Sequence, residues 1–131
     1  MAKILIVEDD TLISNMYKEI FTFDSFEVEI ANDGQEGLDK ARNFKPNIIL
    51  LDIMMPKMNG LEVLTNLKAD PETKTIPVVM LTNLAGENDA KAALTQGAVK
   101  YIVKSQYDPK QISEMVKQIL AGYTRDEIPT V

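Results

Sequence analysis

Cysteine, histidine and tryptophan are all missing from the 131 residues. Without cysteine there is no disulfide framework and no thiolate metal site, and without histidine the commonest zinc ligand and the usual catalytic base are gone. Any chemistry must rest on Asp, Glu, Lys, Ser and Thr. Basic residues are also in short supply: 14 Lys and Arg stand against 20 Asp and Glu, a formal charge of -6. They are scattered singly, which argues against nucleic acid as a direct partner. No apolar run reaches the roughly 20 residues of a membrane span. Met1-Ala2-Lys3 passes straight into a strand-like run ending at Glu8, unlike a signal peptide. The expectation is a cytoplasmic protein with no membrane partner.

What is present is enough for one packed domain, since 45% of the residues are hydrophobic. Short apolar runs alternate with helical periodicity five times. The predicted strands cover residues 4–7, 26–30, 47–51, 76–81 and 99–103. Between and after them, Leu12, Ile13, Met16, Tyr17, Ile20 and Phe21 recur at helical spacing, and Asp33 and Glu36 form a capping box for a helix through Leu38 and Ala41. Leu61, Leu64 and Leu67 mark a helix that Pro71 ends, Ala90, Ala93 and Leu94 another that closes at Gly97, and Asp108-Pro109 starts a last one bearing Ile112, Met115, Val116 and Ile119.

Strand-helix alternation of this kind predicts an α/β fold of parallel βαβ units, a doubly wound (βα)5 three-layer sandwich of flavodoxin-like layout. Runs one, three and four are apolar almost throughout, as strands covered on both faces must be. Run two alternates Glu with Val and Ile, and run five contains Lys100 and Tyr101, so these two belong at the edges. Right-handed crossovers then give the sheet order 2-1-3-4-5, whose switch point lies between strands one and three.

The residues at the carboxyl ends of the strands carry the chemistry. Glu8 and Asp9, with Asp10 beside them, end the first strand, Asp52 the third, Thr82 the fourth and Lys104 the fifth. Clustered carboxylates repel one another unless something positive sits among them, and oxygen-only ligands favour a hard ion such as Mg2+, with Mn2+ as the alternative. A metal, an ammonium and a hydroxyl around a carboxylate can bind the oxygens of a phosphoryl group in transit, and Asp52 can be the nucleophile that accepts it.

The chain through about Leu120 resembles a receiver domain of the two-component response regulators, chemotaxis and sporulation regulators being nearest in layout. The matching motifs are Ile4-Leu5-Ile6-Val7-Glu8-Asp9-Asp10, Leu51-Asp52-Ile53-Met54-Met55-Pro56 with Gly60 eight residues after Asp52, Leu81-Thr82, and Tyr101-Ile102-Val103-Lys104. The resemblance implies that Asp52 takes a phosphoryl group from a histidine kinase or histidine phosphotransfer protein. It implies that Asp9, Asp52 and the Met54 carbonyl ligate Mg2+, with Glu8 acting mainly through water. Thr82 and Lys104 would bind phosphoryl oxygens, Thr82 and Tyr101 would act as switch residues, and the face of the fourth helix, fifth strand and fifth helix would engage a downstream protein. A phosphorylation-dependent dimer belongs to the same implied set, and the domain is not expected to be an enzyme beyond its own aspartyl phosphorylation and dephosphorylation.

Three departures from the family pattern bear on the site. Lys104 is followed by Ser105 rather than proline, so the cis peptide usual there would cost roughly 3 kcal/mol, and the alternatives are a trans bond or a strained loop. Asn83 replaces a very small residue and is expected to narrow access to small phosphodonors. Met54 and Leu84 offer attacking water no good hydrogen bond, which predicts a long-lived phosphoryl group. The alternative reading is a pseudo-receiver that binds partners without phosphorylation. An FMN carrier is disfavoured because Glu8, Asp9 and Asp10 would repel the flavin phosphate. A haloacid-dehalogenase-type phosphatase is disfavoured because Met54 stands where its second acid belongs. The receiver is expected to span residues 1–121, with 122–131 as a tail or linker remnant.

Overall fold

A computed structural model describes residues 2–82 and 87–122. The elements run β1 (Lys3–Val7), α1 (Thr11–Phe23), β2 (Glu27–Ala31), α2 (Gly34–Phe44), β3 (Ile48–Leu51), α3 (Gly60–Ala69), β4 (Val78–Thr82), α4 (Glu87–Thr95), β5 (Lys100–Val103), a 3-10 turn over Lys104–Gln106, and α5 (Pro109–Leu120). The five strands are parallel and ordered β2-β1-β3-β4-β5, the order predicted from run composition.

Alternation along each strand divides the core in two. Leu5, Val7, Ile49, Leu51, Val78, Met80, Tyr101 and Val103 pack with Leu38, Val63, Leu64, Leu67 and Ala93 of α2, α3 and α4. Their neighbours Ile4, Ile6, Ile48, Leu50, Val79, Leu81 and Ile102 pack with Tyr17 and Phe21 of α1 and Ile112, Val116 and Ile119 of α5. The period-2 direction of strand side chains thus feeds both helical layers from one sheet.

Several local expectations are corrected. Leu12 and Met16 share the helical period of α1 but point to solvent, 83% and 40% exposed, whereas Ser14, Tyr17 and Phe21 form the buried stripe. The Asp33 carboxylate does cap α2 by accepting from the Glu36 amide at 2.8 Å, but the Glu36 carboxylate returns to the amide of Asn32 rather than Asp33. The complete capping box is at α5, where Asp108 accepts from the Gln111 amide and Gln111 Oε1 from the Asp108 amide, both at 2.9 Å. The fourth strand, predicted over 76–81, runs Val78–Thr82; Pro77 lies just before it, and its carbonyl still accepts from the Ile49 amide at 3.0 Å.

Although β5 is an edge strand, all four of its residues are buried, Lys100 included. Its two faces are covered by the helical layers, so a place at the edge of the sheet does not by itself expose a residue. Asp108→Ala, which removes one half of the capping box, is expected to cost about 1 kcal/mol. A thermal melt would show this as a fall of about 4 °C, and an unchanged melting temperature would contradict it.

Candidate functional site

The site lies one step beyond the hydrogen-bonded ladder, at the carboxyl ends of β1 and β3. The Glu8 amide donates to the Ala31 carbonyl of β2 at 3.0 Å, and the Asp52 amide to the Val7 carbonyl of β1 at 3.1 Å. The last backbone bonds of the sheet therefore fix the two residues whose side chains leave it. Asp10 then caps α1, its Oδ1 accepting from the Leu12 and Ile13 amides at 3.0 and 3.2 Å. The cap turns the chain away and leaves Asp9 exposed at the rim.

Carboxylate oxygens of Glu8, Asp9 and Asp52 lie within 4.8 Å of one another, Glu8 and Asp52 buried and Asp9 exposed. Lys104 reaches across from β5. Its Nζ donates to Glu8 Oε1 and stands 3.7 Å from Asp52 Oδ2, with the ammonium-bearing side chain only 8% exposed. Met54 and Ile13 join these acids, Asp10 and Lys104 around a polar cavity of about 190 Å³.

Burial raises the Glu8 carboxyl above its ordinary value, opposed by the Lys104 hydrogen bond and reinforced by the neighbouring Asp52. The Asp9 carboxyl is raised by its partial desolvation and then by Glu8. Both shifts express first the cost of taking a carboxylate out of water and then that of placing acids side by side, and a bound cation would offset both. An all-oxygen set of three acids in one cavity fits a hard divalent ion.

The switch candidates occupy the next two strands. Thr82 closes β4, is fully buried and is in register with Val103. Tyr101 is also buried, and burial followed by the charges of Asp89 and Asp52 raises its hydroxyl. Met54 is 60% exposed while Met55 packs into the core. No cis peptide occurs among the described residues, so Lys104-Ser105 takes the trans alternative, and Lys104 opens the short 3-10 turn. Asn83 and Leu84 lie outside the described residues.

Two contributors were not assigned from sequence. One is the Asp10 cap, signalled by an Asp immediately before a helical period. The other is Gly60, whose place in the motif was seen but whose reason is spatial. A Cβ there would overlap the Asp52 carbonyl oxygen and lie 2.8 Å from both Asp52 C and Ile53 Cα.

Comparison with known proteins identifies the family and supports the fold. The model of the response regulator receiver domain matches residues 4–117. The DNA-binding response regulator MtrA of Mycolicibacterium smegmatis is 34% identical over 125 residues, 95% of this chain and 52% of that protein. The response regulator ArlR of Staphylococcus aureus is 36% identical over 128 residues, 98% of this chain and 57% of that protein. The chain thus spans about half the length of these curated relatives. A CheY-like receiver domain protein from Methanospirillum hungatei superposes with a TM-score of 0.86 at 36% identity, covering 92% of this chain and 94% of that one. Chemotaxis protein CheY4 of Vibrio cholerae gives 0.85 at 29% identity over 91% and 98%. The chain belongs to the response regulator receiver domain family of two-component signalling proteins.

Proposed function

We propose that the chain is a phosphorylation-activated receiver in which Asp52 accepts a phosphoryl group from the phosphohistidine of a histidine kinase or phosphotransfer protein. The observation that carries the reading is the convergence of Glu8, Asp9 and Asp52 on one polar cavity with Lys104 bridging two of them. Asp9, Asp52 and the Met54 carbonyl would hold Mg2+, or Mn2+ in its place, with Glu8 acting through water. When bound, the ion neutralises the acids and the charge that develops on the transferring phosphoryl oxygens.

The chain's own residues supply the remaining steps. An Asp52 oxygen attacks phosphorus, the bond to the histidine nitrogen breaks, and an acyl phosphate forms on the chain. Lys104 exchanges its contact with Glu8 for one with a phosphoryl oxygen, and the Thr82 hydroxyl donates to another. Movement of Thr82 toward the phosphate and the packing of Tyr101 alter the face formed by α4, β5 and α5, changing its affinity for a downstream protein or a second copy. The reading is of a cytoplasmic signalling domain spanning residues 1–121, with 122–131 as tail or linker. It makes no direct nucleic-acid contact. Among the described residues no helix is long and apolar enough to cross a membrane.

Intact-mass measurement with acetyl phosphate and Mg2+ tests the proposal. The wild type is expected to gain one phosphoryl group and Asp52→Asn none. An adduct on both proteins, or on neither, would overturn the assignment.

A further inference from the structure

The phosphotransfer reading uses the Met54 carbonyl and leaves its sulfur without a role. Yet this side chain is 60% exposed, more than any other methionine among the described residues. Met16 is 40% exposed, Met55 9% and Met80 fully buried, while Met58 and Met115 are half-buried. The chain has no cysteine, so thioethers are its only oxidisable sulfurs, and exposure decides which of them an oxidant reaches first. Met54 also lines the polar cavity that holds Asp52 and Lys104. A thioether is a weak hydrogen-bond acceptor, whereas a sulfoxide oxygen is polar and accepts well.

We propose that Met54 is an oxidation site and that its sulfoxide shortens the lifetime of the phosphoryl group on Asp52, an inference that rests on Asp52 being the phosphoacceptor. A sulfur lone pair of Met54 attacks one oxygen of hydrogen peroxide. The O–O bond breaks, an S–O bond forms, and the second oxygen leaves as water after proton transfer. Sulfur is oxidised by two electrons and the peroxide reduced by two. The new oxygen stands at the mouth of the cavity that water must enter to hydrolyse the acyl phosphate. By accepting a hydrogen bond from that water it orients the nucleophile, a function the thioether performs poorly. A thiol-dependent methionine sulfoxide reductase restores the original state, which makes the effect reversible.

Purified chain is treated with hydrogen peroxide, the sulfoxides are located by peptide mass spectrometry, and loss of the phosphoryl group is followed by intact mass after acetyl phosphate is removed. Met54 is expected to oxidise before Met16 and Met55, and the adduct on oxidised protein to decay about fivefold faster, the worth of one ordinary hydrogen bond in the transition state. Met54→Leu should decay at one rate with or without peroxide, whereas Met16→Leu should show the full acceleration. Met54→Gln, which places a carbonyl oxygen there permanently, should decay faster than Met54→Leu in untreated protein. Oxidation of Met16 ahead of Met54, or an oxidised adduct that decays no faster than the untreated one, would overturn the inference while leaving Asp52 as acceptor. Absence of any adduct on untreated protein would be the failure of the acceptor reading itself, and the lifetime effect would fall with it.

Discussion

Lys104→Met is expected to lower stability by about 3 kcal/mol near neutral pH without divalent cation, the scale for removing one partner of a buried charge pair. Much of that loss should be recovered on acidification or on adding Mg2+. Lys104 and Glu8 have side chains only 8% and 4% exposed, and the same ammonium lies 3.7 Å from Asp52. Burial raises the Glu8 carboxyl, the hydrogen bond from Lys104 lowers it, and Asp52 raises it again. Deleting the lysine removes the lowering influence, so the carboxyl in the folded variant rises further above its ordinary value of 4.5.

The sign of the pH dependence follows. A folded carboxyl that titrates above the unfolded one holds a proton that unfolding releases, so stability falls as pH rises between the two values. The penalty is absent below 4.5 and complete above the folded-state value. The gap between variant and wild type should therefore widen with pH, and Mg2+ should narrow it by supplying the missing positive charge. Urea denaturation across a pH series, with and without Mg2+, measures this. A gap that ignores both pH and Mg2+ would contradict the assignment. Phosphorylation should stay slow even when Mg2+ restores stability, because no ammonium then meets the phosphoryl oxygens.

How much of this was legible in the sequence depended on the range over which each feature is determined. Sheet order followed from composition along single runs. Residues 48–51 are apolar without interruption because β3 is covered on both faces, and Glu27 and Glu29 alternate with Val28 and Ile30 because β2 lies at an edge. Strand ends then located Glu8, Asp52, Thr82 and Lys104 with no knowledge of side-chain direction. Choices between nearly equivalent local geometries were not legible. The apolar residues of α1 lie on more than one side of the helix, and periodicity alone does not say that Tyr17 and Phe21 face the core while Leu12 and Met16 face solvent. Glu36 could satisfy the amide of Asn32 or Asp33, and a single rotation decides which. That Lys104 engages Glu8 more closely than Asp52 depends on residues 96 positions apart meeting across the sheet.

Gly60→Ala should both destabilise the fold and slow phosphorylation, since one atom would have to occupy the space of the Asp52 backbone. Gly60 opens α3 after the Asn59 cap, and its amide donates to the Ile53 carbonyl at 2.8 Å. Its φ is not among the positive values, so the demand is for space and not for left-handed backbone. An added Cβ would overlap the Asp52 carbonyl oxygen and sit 2.8 Å from Asp52 C and from Ile53 Cα, all of them atoms that no side-chain rotation can move. The connecting loop is also poorly free to yield. Ile53 and Met55 are buried, the Met55 amide donates to the Ile53 carbonyl at 3.1 Å, and the Met58 amide donates to the Pro56 carbonyl at 2.8 Å around Lys57, whose φ is 69°.

Overpacking against fixed backbone is expected to cost about 3 kcal/mol. Displacement of Asp52 by about 1 Å would slow transfer on the order of a hundredfold. Gly37→Ala provides the contrast. Its Cβ would meet the Val7 methyl groups at 3.0 Å, side-chain atoms that do not line the cavity and can shift without moving backbone, so a smaller loss of about 1 kcal/mol with near-native phosphorylation is expected. Urea denaturation and acetyl-phosphate labelling of both variants, compared where each is fully folded, separate a general packing defect from displacement of the acceptor. Equal labelling of the two would mean that Asp52 tolerates the intrusion and that Gly60 serves the fold alone.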